Sequence, residues 1–129
     1  MKKLQKIIAV IALVAAIFAL AAGCGEEKPQ AGTKHVTVTV TYDDGHTKDF
    51  TYDTEESYLG PLLRNQELVT GHEDAGSFFI DGVDGLVADY SVNESWWKVL
   101  ENGEQALVGV DEIALKDGGT YQLVYTIGF

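Results

Sequence analysis

The sequence predicts an α+β domain in which strands predominate and one helix is inserted among them. Three observations support this prediction. Apolar and polar residues alternate with a period of two at residues 35–42 and again at Thr120–Ile127. Asp-Gly and Asn-Gly turn signals recur between apolar runs along the rest of the chain. By contrast, residues 59–69 place their leucines at helical spacing.

The first half of the domain is predicted to form a β-hairpin followed by a short helix. Residues 35–42 read HVTVTVTY, so one face of this strand carries valines and the other carries threonines. The Asp44-Gly45 pair marks a tight turn, and residues 48–52 are the return strand. Pro61 must lie in the first turn of the helix, which predicts an N-cap at Tyr58 or later.

The second half is predicted to consist mainly of strands. Residues 70–76 are polar and are predicted to form a loop. Apolar runs bounded by turn signals predict further strands at residues 78–83, 86–88, 96–100, 105–108 and 120–127. One short helix packed on one face of a mixed β-sheet is a β-grasp-like arrangement, which is the architecture we predict.

A targeting segment precedes the domain. Lys2, Lys3 and Lys6 are followed by 16 uninterrupted apolar residues, a run that is typical of a signal peptide and short for a membrane span. The small residues before Cys24 resemble a bacterial lipobox, although Ala21 stands where leucine is usual. We therefore expect residues 1–23 to be a lipoprotein signal peptide and Cys24 to be lipidated. The alternative is a free cysteine beside an ordinary cleavage site.

Composition narrows the class of partner. Cys24 is the single cysteine, which excludes an internal disulfide. Without the leader the chain has six basic and twenty acidic residues, a formal net charge of −14. Such a surface disfavours nucleic acid and anionic lipid headgroups. Residues 24–34 are polar, with Pro and Gly, and are predicted to be a tether; residues 35–129 are predicted to be the domain.

The most informative segment is the apolar run at residues 78–88, with its Gly-rich corner, and the tryptophan pair that follows. Glycines allow a backbone to approach a ligand closely, and tryptophans supply flat apolar area. The alternative is a hairpin corner with core aromatics. Because neighbours on a strand point to opposite faces, Trp97 is predicted to be buried or half-buried beside Val99. Trp96, beside Lys98, is predicted to be the exposed ring.

Catalytic and metal-binding signals are weak. The sequence His72-Glu73-Asp74 could touch a metal, but a metal site needs three or four convergent ligands. The acidic residues at 81–94 lack the ordered spacing of a calcium loop. No serine lies in a Gly-x-Ser-x-Gly elbow. We therefore expect no catalytic residues, no metal site and no required cofactor.

Taken in order, these segments resemble a known family. The resemblance is to the C-terminal domain of transcobalamin and intrinsic factor, and most closely to bacterial lipoproteins that carry this domain alone. It covers residues 35–129, essentially the whole predicted domain. The segments that carry it are the hairpin, the helix at 59–63, the corner at 80–86, residues 97–100, Asn102-Gly103, residues 109–115, Asp117-Gly118 and the final aromatic strand.

The resemblance implies a ligand and a set of contacts. In that family the small β-rich domain closes over one face of cobalamin, while a larger helical domain supplies the opposite face. The 129 residues do not include such a helical domain, so a second binding domain is an expected partner. The residues that the resemblance places on the ligand are Phe79, Asp84, Gly85, Leu86, Trp97 and Val99, with Trp96 as their neighbour.

The sequence thus predicts a binding protein rather than an enzyme. We expect it to be anchored by lipid at the extracytoplasmic face of the bacterial cell membrane, where it would capture cobalamin or a related corrinoid. It would present this ligand to a partner or transporter. The alternative function is a protein–protein interaction module of a surface complex that has no small-molecule ligand.

Overall fold

The computed structural model describes residues 29–128 of the chain. The predicted signal peptide (residues 1–23) and Cys24 lie outside this range. Strands account for most of the regular structure, which agrees with the predicted α+β class. The elements are β1 Lys34–Thr41, β2 Thr47–Thr54, α1 Leu59–Asn65, β3 Val69–Asp74, β4 Ser77–Val83, β5 Leu86–Val87, α2 Tyr90–Asn93, β6 Ser95–Glu101, β7 Glu104–Gln105, a 3-10 helix at Val110–Glu112, and β8 Thr120–Ile127.

Five strands form a mixed sheet in the order β2-β1-β8-β6-β7. The central strands β1 and β8 run parallel, with Val38 opposite Tyr121 and Val40 opposite Leu123. The other pairs are antiparallel. The prediction of a mixed sheet beginning with a hairpin is therefore confirmed. The alternation in β1 and β8 sets which face is buried, because a period of two sends successive side chains to opposite faces.

A second, three-stranded sheet has the order β3-β4-β5. The prediction of one sheet is therefore incomplete, and the predicted polar loop at residues 70–76 is wrong. Most of that segment is strand β3, which pairs with β4. Only Val69 of β3 is buried, so the strand lacks the apolar alternation that identifies a strand in sequence. The register also shifts between Thr70 and Gly71, which interrupts the pattern further.

Helix α1 begins where the proline requires it to begin. Its N-cap is Tyr58, as predicted, and Pro61 lies in the first turn. The helix ends at Asn65, before the end of the segment 59–69 whose leucine spacing predicted a helix, because Glu67 adopts a left-handed backbone conformation with φ of 55°. Leu68 then donates its backbone N–H to the Leu63 carbonyl oxygen, and the chain turns directly into β3.

One hydrophobic core joins the two sheets and the helix. The valines of β1 form one side of the core, and the leucines of α1 pack against the same cluster. The small sheet contributes Val69 and Val83, and partly buried side chains of β4 line its margin. The small sheet and α1 thus cover one face of the large sheet. The largest fully buried side chains of this core are Tyr121, Leu59, Leu62, Leu63, Ile113, Leu115, Leu123, Val38, Val40 and Val83, and the Lys34 side chain is also fully buried.

The segment after the β6–β7 turn departs from the sheet sooner than predicted. The expected return strand at residues 105–108 is reduced to Glu104–Gln105. Ala106 still donates its N–H to the Val99 carbonyl oxygen, but Leu107 is 98% exposed. The chain then reaches the 3-10 helix through Gly109. The apolar residues Ala106, Leu107 and Val108, which predicted a strand, therefore lie outside strand β7.

The N-terminal edge of the described chain is held against the domain. Strand β1 starts at Lys34, which is fully buried, and its ammonium donates to the carbonyl oxygens of Gln30 (2.7 Å) and Gly32 (2.9 Å). The Gln30 side chain accepts a hydrogen bond from the Asp117 backbone N–H at 2.8 Å. Part of the predicted tether is thus folded onto the 116–119 turn. Within residues 29–128, no helix is long and apolar enough to cross a bilayer.

Two neighbouring positions on β8 test which face of the large sheet supports the fold. Leu123→Ala removes a fully buried side chain, so we expect a loss of about 2–5 kcal/mol in the free energy of unfolding. Val124→Ala, on the opposite face, is the matched control and should cost about 1 kcal/mol or less. Chemical denaturation followed by circular dichroism measures both; equal losses would contradict the assignment of the buried face.

Candidate functional site

Two clefts adjoin strand β4, and Phe79 and Ile80 line both of them. Each cleft has a volume of about 250 Å³. Pockets that enclose drug-sized ligands usually measure about 300–1,000 Å³, so each cleft is too small to enclose such a ligand. A larger cleft of about 370 Å³ follows the β6–β7 hairpin at residues 101–108 and contains none of the predicted ligand residues.

The first cleft, which we call the Trp97 cleft, is mainly apolar. Trp97 is 6% exposed and meets Tyr125 edge-on, with ring centroids 5.6 Å apart. Val99 lies two residues further along β6, on the same face. The lining comprises Ser77, Phe78, Phe79, Ile80, Trp97, Val99, Val108, Gly109 and Val110. An arrangement of this kind suits a flat apolar ligand edge.

The second cleft, which we call the His72 cleft, is lined by ionisable side chains that the first cleft lacks. His72 and Phe79 are cross-strand partners whose rings stack at a centroid distance of 5.7 Å. The Nδ1 atom of His72 lies 2.8 Å from a carboxylate oxygen of Asp81. The lining comprises His72, Asp74, Phe79, Ile80, Asp81, Ala88, Tyr90, Ser95 and Trp96. This cleft therefore offers an aromatic wall together with donors and acceptors.

The predicted residues Asp84, Gly85 and Leu86 line neither cleft. They form the turn from β4 to β5, with φ of 48° at Asp84 and 83° at Gly85. Two successive positive φ values characterise the tight turns of two-residue hairpins, which explains the Asp-Gly pair without a ligand. Leu86 is half-buried against the core, and the Asp84 carboxylate accepts a hydrogen bond from the Tyr42 hydroxyl at 2.5 Å.

Trp96 and Trp97 point to opposite faces of β6, as strand geometry requires, but the burial of Trp96 differs from the prediction. Trp97 is buried beside Val99, as predicted, and the Lys98 ammonium lies 5.7 Å from the centroid of the Trp96 ring. Trp96 is half-buried, so the prediction of an exposed ring is wrong. Its indole N–H donates to the Gly128 carbonyl oxygen at 2.6 Å, which holds the ring against the end of β8.

Sequence reasoning missed several residues that line the clefts. His72 and Asp81 come together because β3 pairs with β4, and the absence of a strand pattern in β3 hid that pairing. Val108 reaches the Trp97 cleft from the end of the segment that was predicted to be a strand, and Val110 reaches it from the 3-10 helix. The two valines flanking Gly109 were the available signal, since apolar residues outside a strand usually cover a core or a cleft.

Among the described residues, no group of three or more His, Cys, Asp or Glu side chains is placed to hold a metal ion. The His72–Asp81 pair supplies two such side chains. Most metal sites in proteins need three or four protein ligands, so this pair falls short of one.

Comparison with known proteins identifies the family. Residues 56–126 match the family model described as a domain of unknown function, DUF4430. This chain is a member of the DUF4430 family. The matched residues run from just before α1 to the end of β8, so they include every residue that lines the two clefts. A search of curated proteins finds no match.

A solved structure is similar to this chain in both sequence and fold. The DUF4430 chain is 35% identical to a protein from Ruminococcus gnavus ATCC 29149, whose crystal structure at 1.30 Å superimposes with a TM-score of 0.71. The alignment covers 74% of this chain and 99% of that one. That protein is described as a candidate metal-binding protein.

A second solved structure shares the fold. Haptocorrin in complex with Cbi, which is cobinamide, superimposes on this chain with a TM-score of 0.58 at 13% identity. The match covers 82% of this chain and 28% of haptocorrin. The DUF4430 chain therefore corresponds to less than a third of that protein. The resemblance to the transcobalamin C-terminal domain is supported at the level of the fold.

The Tyr42–Asp84 contact gives a testable pKa. Burial, and then the hydrogen bond and charge of Asp84, raise the pKa of Tyr42 from 10.0 to about 12. A raised pKa stabilises the fold below the unfolded pKa of 10.0, and this contribution is lost as the pH rises through about 12. We expect one of the six tyrosines to ionise near pH 12 in an ultraviolet titration.

Asp84→Asn should lower the pKa of Tyr42 while leaving it above 10.0, because burial is the largest cause. Asp81→Asn is the matched control, since Asp81 pairs with His72, and it should leave this titration unchanged. An identical titration curve for Asp84→Asn and the unmodified protein would contradict the contact.

Proposed function

We propose that the protein is a binding protein for cobalamin or a related corrinoid, and that the ligand lies over Phe79 with its edges in the two clefts. The observation that carries this proposal is the placement of Phe79. Its ring is 50% exposed and lines both the Trp97 cleft and the His72 cleft. A large aromatic side chain exposed between two concave surfaces favours a broad, flat ligand.

The chemistry of the clefts fits such a ligand. A corrin ring presents a flat apolar face whose rim carries amide side chains. The Trp97 cleft supplies apolar and aromatic surface, and the His72 cleft supplies polar groups at the rim. Haptocorrin, which shares the fold, is known in complex with cobinamide, and this supports a corrinoid as the first ligand to test.

The polar groups of the clefts favour binding over catalysis. His72 pairs with Asp81, and no serine or cysteine hydroxyl or thiol among the described residues is bonded to this histidine. The Ser95 hydroxyl donates to Asn93 and also accepts from the Asp89 backbone N–H. A nucleophile is usually activated by a base within hydrogen-bond reach. We therefore propose that the protein is not an enzyme.

Affinity is expected to be low for this domain alone. One corrin face would bury roughly 200–300 Å² of apolar surface, which corresponds to about 5–7 kcal/mol. Association itself costs about 4–15 kcal/mol. The apolar term exceeds the lower limit of that cost by about 3 kcal/mol at most, and hydrogen bonds at the amide rim would each add about 1 kcal/mol, so we expect a Kd in the high micromolar to millimolar range. A transporter or a second binding domain that covers the opposite face would raise the affinity.

We propose that Cys24 is lipidated and anchors the protein at the extracytoplasmic face of the cell membrane. Because Gln30 is bonded to the Asp117 N–H, five residues lie between the lipidated Cys24 and the folded domain, a reach of about 20 Å at most. The 116–119 turn would then face the membrane. Tyr42 follows the other end of β1, about 25 Å from the start of this strand, and it is bonded to Asp84. A partner would have access to this end of the domain.

One observation favours the alternative function, a protein–protein interaction module. Strand β2 has eight residues and pairs only with β1, so its outer edge is unpaired within the described chain. An unpaired edge can accept a strand from a partner protein. The net acidic charge would help to select that partner. This function predicts that the protein does not bind corrinoids.

Isothermal titration of cobinamide into the full chain in detergent micelles tests the leading proposal. Phe79→Ala should weaken binding about fivefold or more, because it removes the aromatic surface shared by both clefts. Val92→Ala is the matched control, since Val92 is 78% exposed and lines neither cleft. Trp96→Ala tests the His72 cleft separately, because Trp96 lines that cleft and not the Trp97 cleft, and it should also weaken binding.

Two outcomes would contradict corrinoid binding. The first is an absence of heat at millimolar cobinamide, which would favour the interaction module. The second is binding that Phe79→Ala and Val92→Ala change equally, since the ligand would then lie elsewhere.

Lipidation is tested by mass spectrometry and cell fractionation in a bacterium that processes lipoproteins. We expect the mature chain to begin at Cys24 with a mass increase for the acyl chains, and to sediment with membranes. Cys24→Ser should abolish the mass increase and release the protein from the membrane fraction. An unmodified mature Cys24 would show that the lipobox resemblance is misleading.

A further inference from the structure

We propose that Arg64 is a specificity-determining residue of the Trp97 cleft, and that it makes this cleft selective for ligand edges as flat as an aromatic ring. Arg64 does not line the cleft. It acts through Phe78 and Asp111, so it is a positioning residue. The inference rests on the proposed function in one respect, which is that the Trp97 cleft receives the edge of the ligand.

Arg64 contacts both walls of the Trp97 cleft. Its guanidinium lies 4.4 Å from the centroid of the Phe78 ring, and Phe78 lines the cleft from β4. Its Nη1 atom donates to Asp111 Oδ1 at 2.8 Å, and Val110, the neighbour of Asp111, lines the cleft from the 3-10 helix. The three side chains of Arg64, Asp111 and Phe78 thus connect the two walls, and we call them the brace.

Two glycines make room for the brace. Neither Gly60 in α1 nor Gly71 in β3 adopts a positive φ, so the backbone conformation does not require glycine at these positions. A Cβ atom added at Gly60 would overlap Asp111 Oδ1. One added at Gly71 would lie 2.6 Å from Cζ of the Phe78 ring and would also overlap the Phe79 carbonyl oxygen. The Asp111 carboxylate and the Phe78 ring therefore pack directly against backbone, which fixes both ends of the brace.

The brace is expected to act on the shape of the cleft more than on the stability of the fold. The side chains of Arg64 and Asp111 are 37% and 40% exposed, and ion pairs at such positions contribute little to stability because solvent screens them. A guanidinium is planar, so it can stack on a ring and donate hydrogen bonds at the same time. The ammonium of a lysine cannot stack in this way.

A fixed separation of the walls favours a thin ligand. A flat ring can contact both walls at once, whereas a thicker ring must push them apart. Forcing extra bulk between well-packed side chains is unfavourable. Without Arg64 the Phe78 ring loses the group that covers it, so the wall on β4 can move and the cleft can admit a thicker ring.

Nuclear magnetic resonance of the 15N-labelled full chain in detergent micelles tests this selectivity. Benzamide and cyclohexanecarboxamide carry the same amide on rings of six carbon atoms, but the first ring is flat and the second is puckered. Changes in the backbone amide signals of Val99, Val108 and Val110 give a Kd for each probe. We expect the unmodified protein to bind benzamide about threefold more tightly or better.

Arg64→Met removes the charge and keeps a long side chain. We expect it to lower the preference for benzamide by about threefold, the usual effect of losing an exposed cation–π contact. Arg64→Lys should restore the preference only in part. Lys48→Met is the matched control, since the Lys48 ammonium lies 4.9 Å from the Phe50 ring centroid and Lys48 lines neither cleft. Thermal denaturation checks that each variant is folded.

Asp111→Ala is a second variant that retains Arg64 and breaks its link to the 3-10 helix. It should also lower the preference for benzamide, and it decides the test if Arg64→Met does not fold. An unchanged preference in the folded variants would overturn the inference. So would an equal loss of preference in Lys48→Met, or an absence of signal changes at the cleft with both probes.

The outcomes separate the role of Arg64 from the proposed function. If the brace variants lose the preference for benzamide and cobinamide does not bind, the role of Arg64 stands and the corrinoid proposal fails. If cobinamide binds while the preference is the same in all variants, the role of Arg64 is wrong and the corrinoid proposal stands.

Discussion

The parallel pairing of β1 with β8 is the constraint on which the rest of the structure depends. It joins the two ends of the folded chain and places Val38 opposite Tyr121 and Val40 opposite Leu123 in the core. Strand β6 then pairs with β8, which fixes the position of Trp97. Because a shift of one residue would move every side chain to the other face, this register also determines that Trp97 lines the Trp97 cleft and Trp96 lines the His72 cleft.

The small sheet gives the core the surface on which the two clefts lie. Strand β4 packs at the margin of the core, where Phe78 and Ile80 are partly buried, and leaves the Phe79 ring exposed between two clefts. The 3-10 helix supplies Val110 to the wall opposite β4. The surface is thus assembled from three segments that are distant in sequence. Each segment is anchored by buried neighbours, so the clefts are expected to be largely preformed.

The sequence predicted the features that depend on a pattern within one segment, and it did not predict the contacts between distant segments. The alternation in β1 and β8 and the position of Pro61 are local, and they predicted the hairpin, the sheet and the start of α1 correctly. The burial of Trp97 also followed from alternation along one strand. The pairing of His72 with Asp81 and of Tyr42 with Asp84 depends on how distant segments pack, and no local pattern indicates it.

The candidate site was predicted in part, because only some of the residues that the resemblance grouped together line the two clefts. A family resemblance grouped Asp84, Gly85 and Leu86 with the tryptophans, but the structure places this corner outside both clefts and explains its glycine by turn geometry. Phe79, Trp96, Trp97 and Val99 do line the clefts. The site that we propose is therefore centred on Phe79, and the Gly-rich corner lies outside the two clefts that define it.

The measurement that tests this account most directly is a map of backbone amide chemical shifts on adding cobinamide to the 15N-labelled full chain in detergent micelles. We predict that the largest changes lie in β4, in β6 around Trp97 and Val99, and in residues 108–110. Changes confined to the outer edge of β2, or no changes at millimolar cobinamide, would contradict the central claim that the two clefts beside Phe79 form the ligand-binding surface.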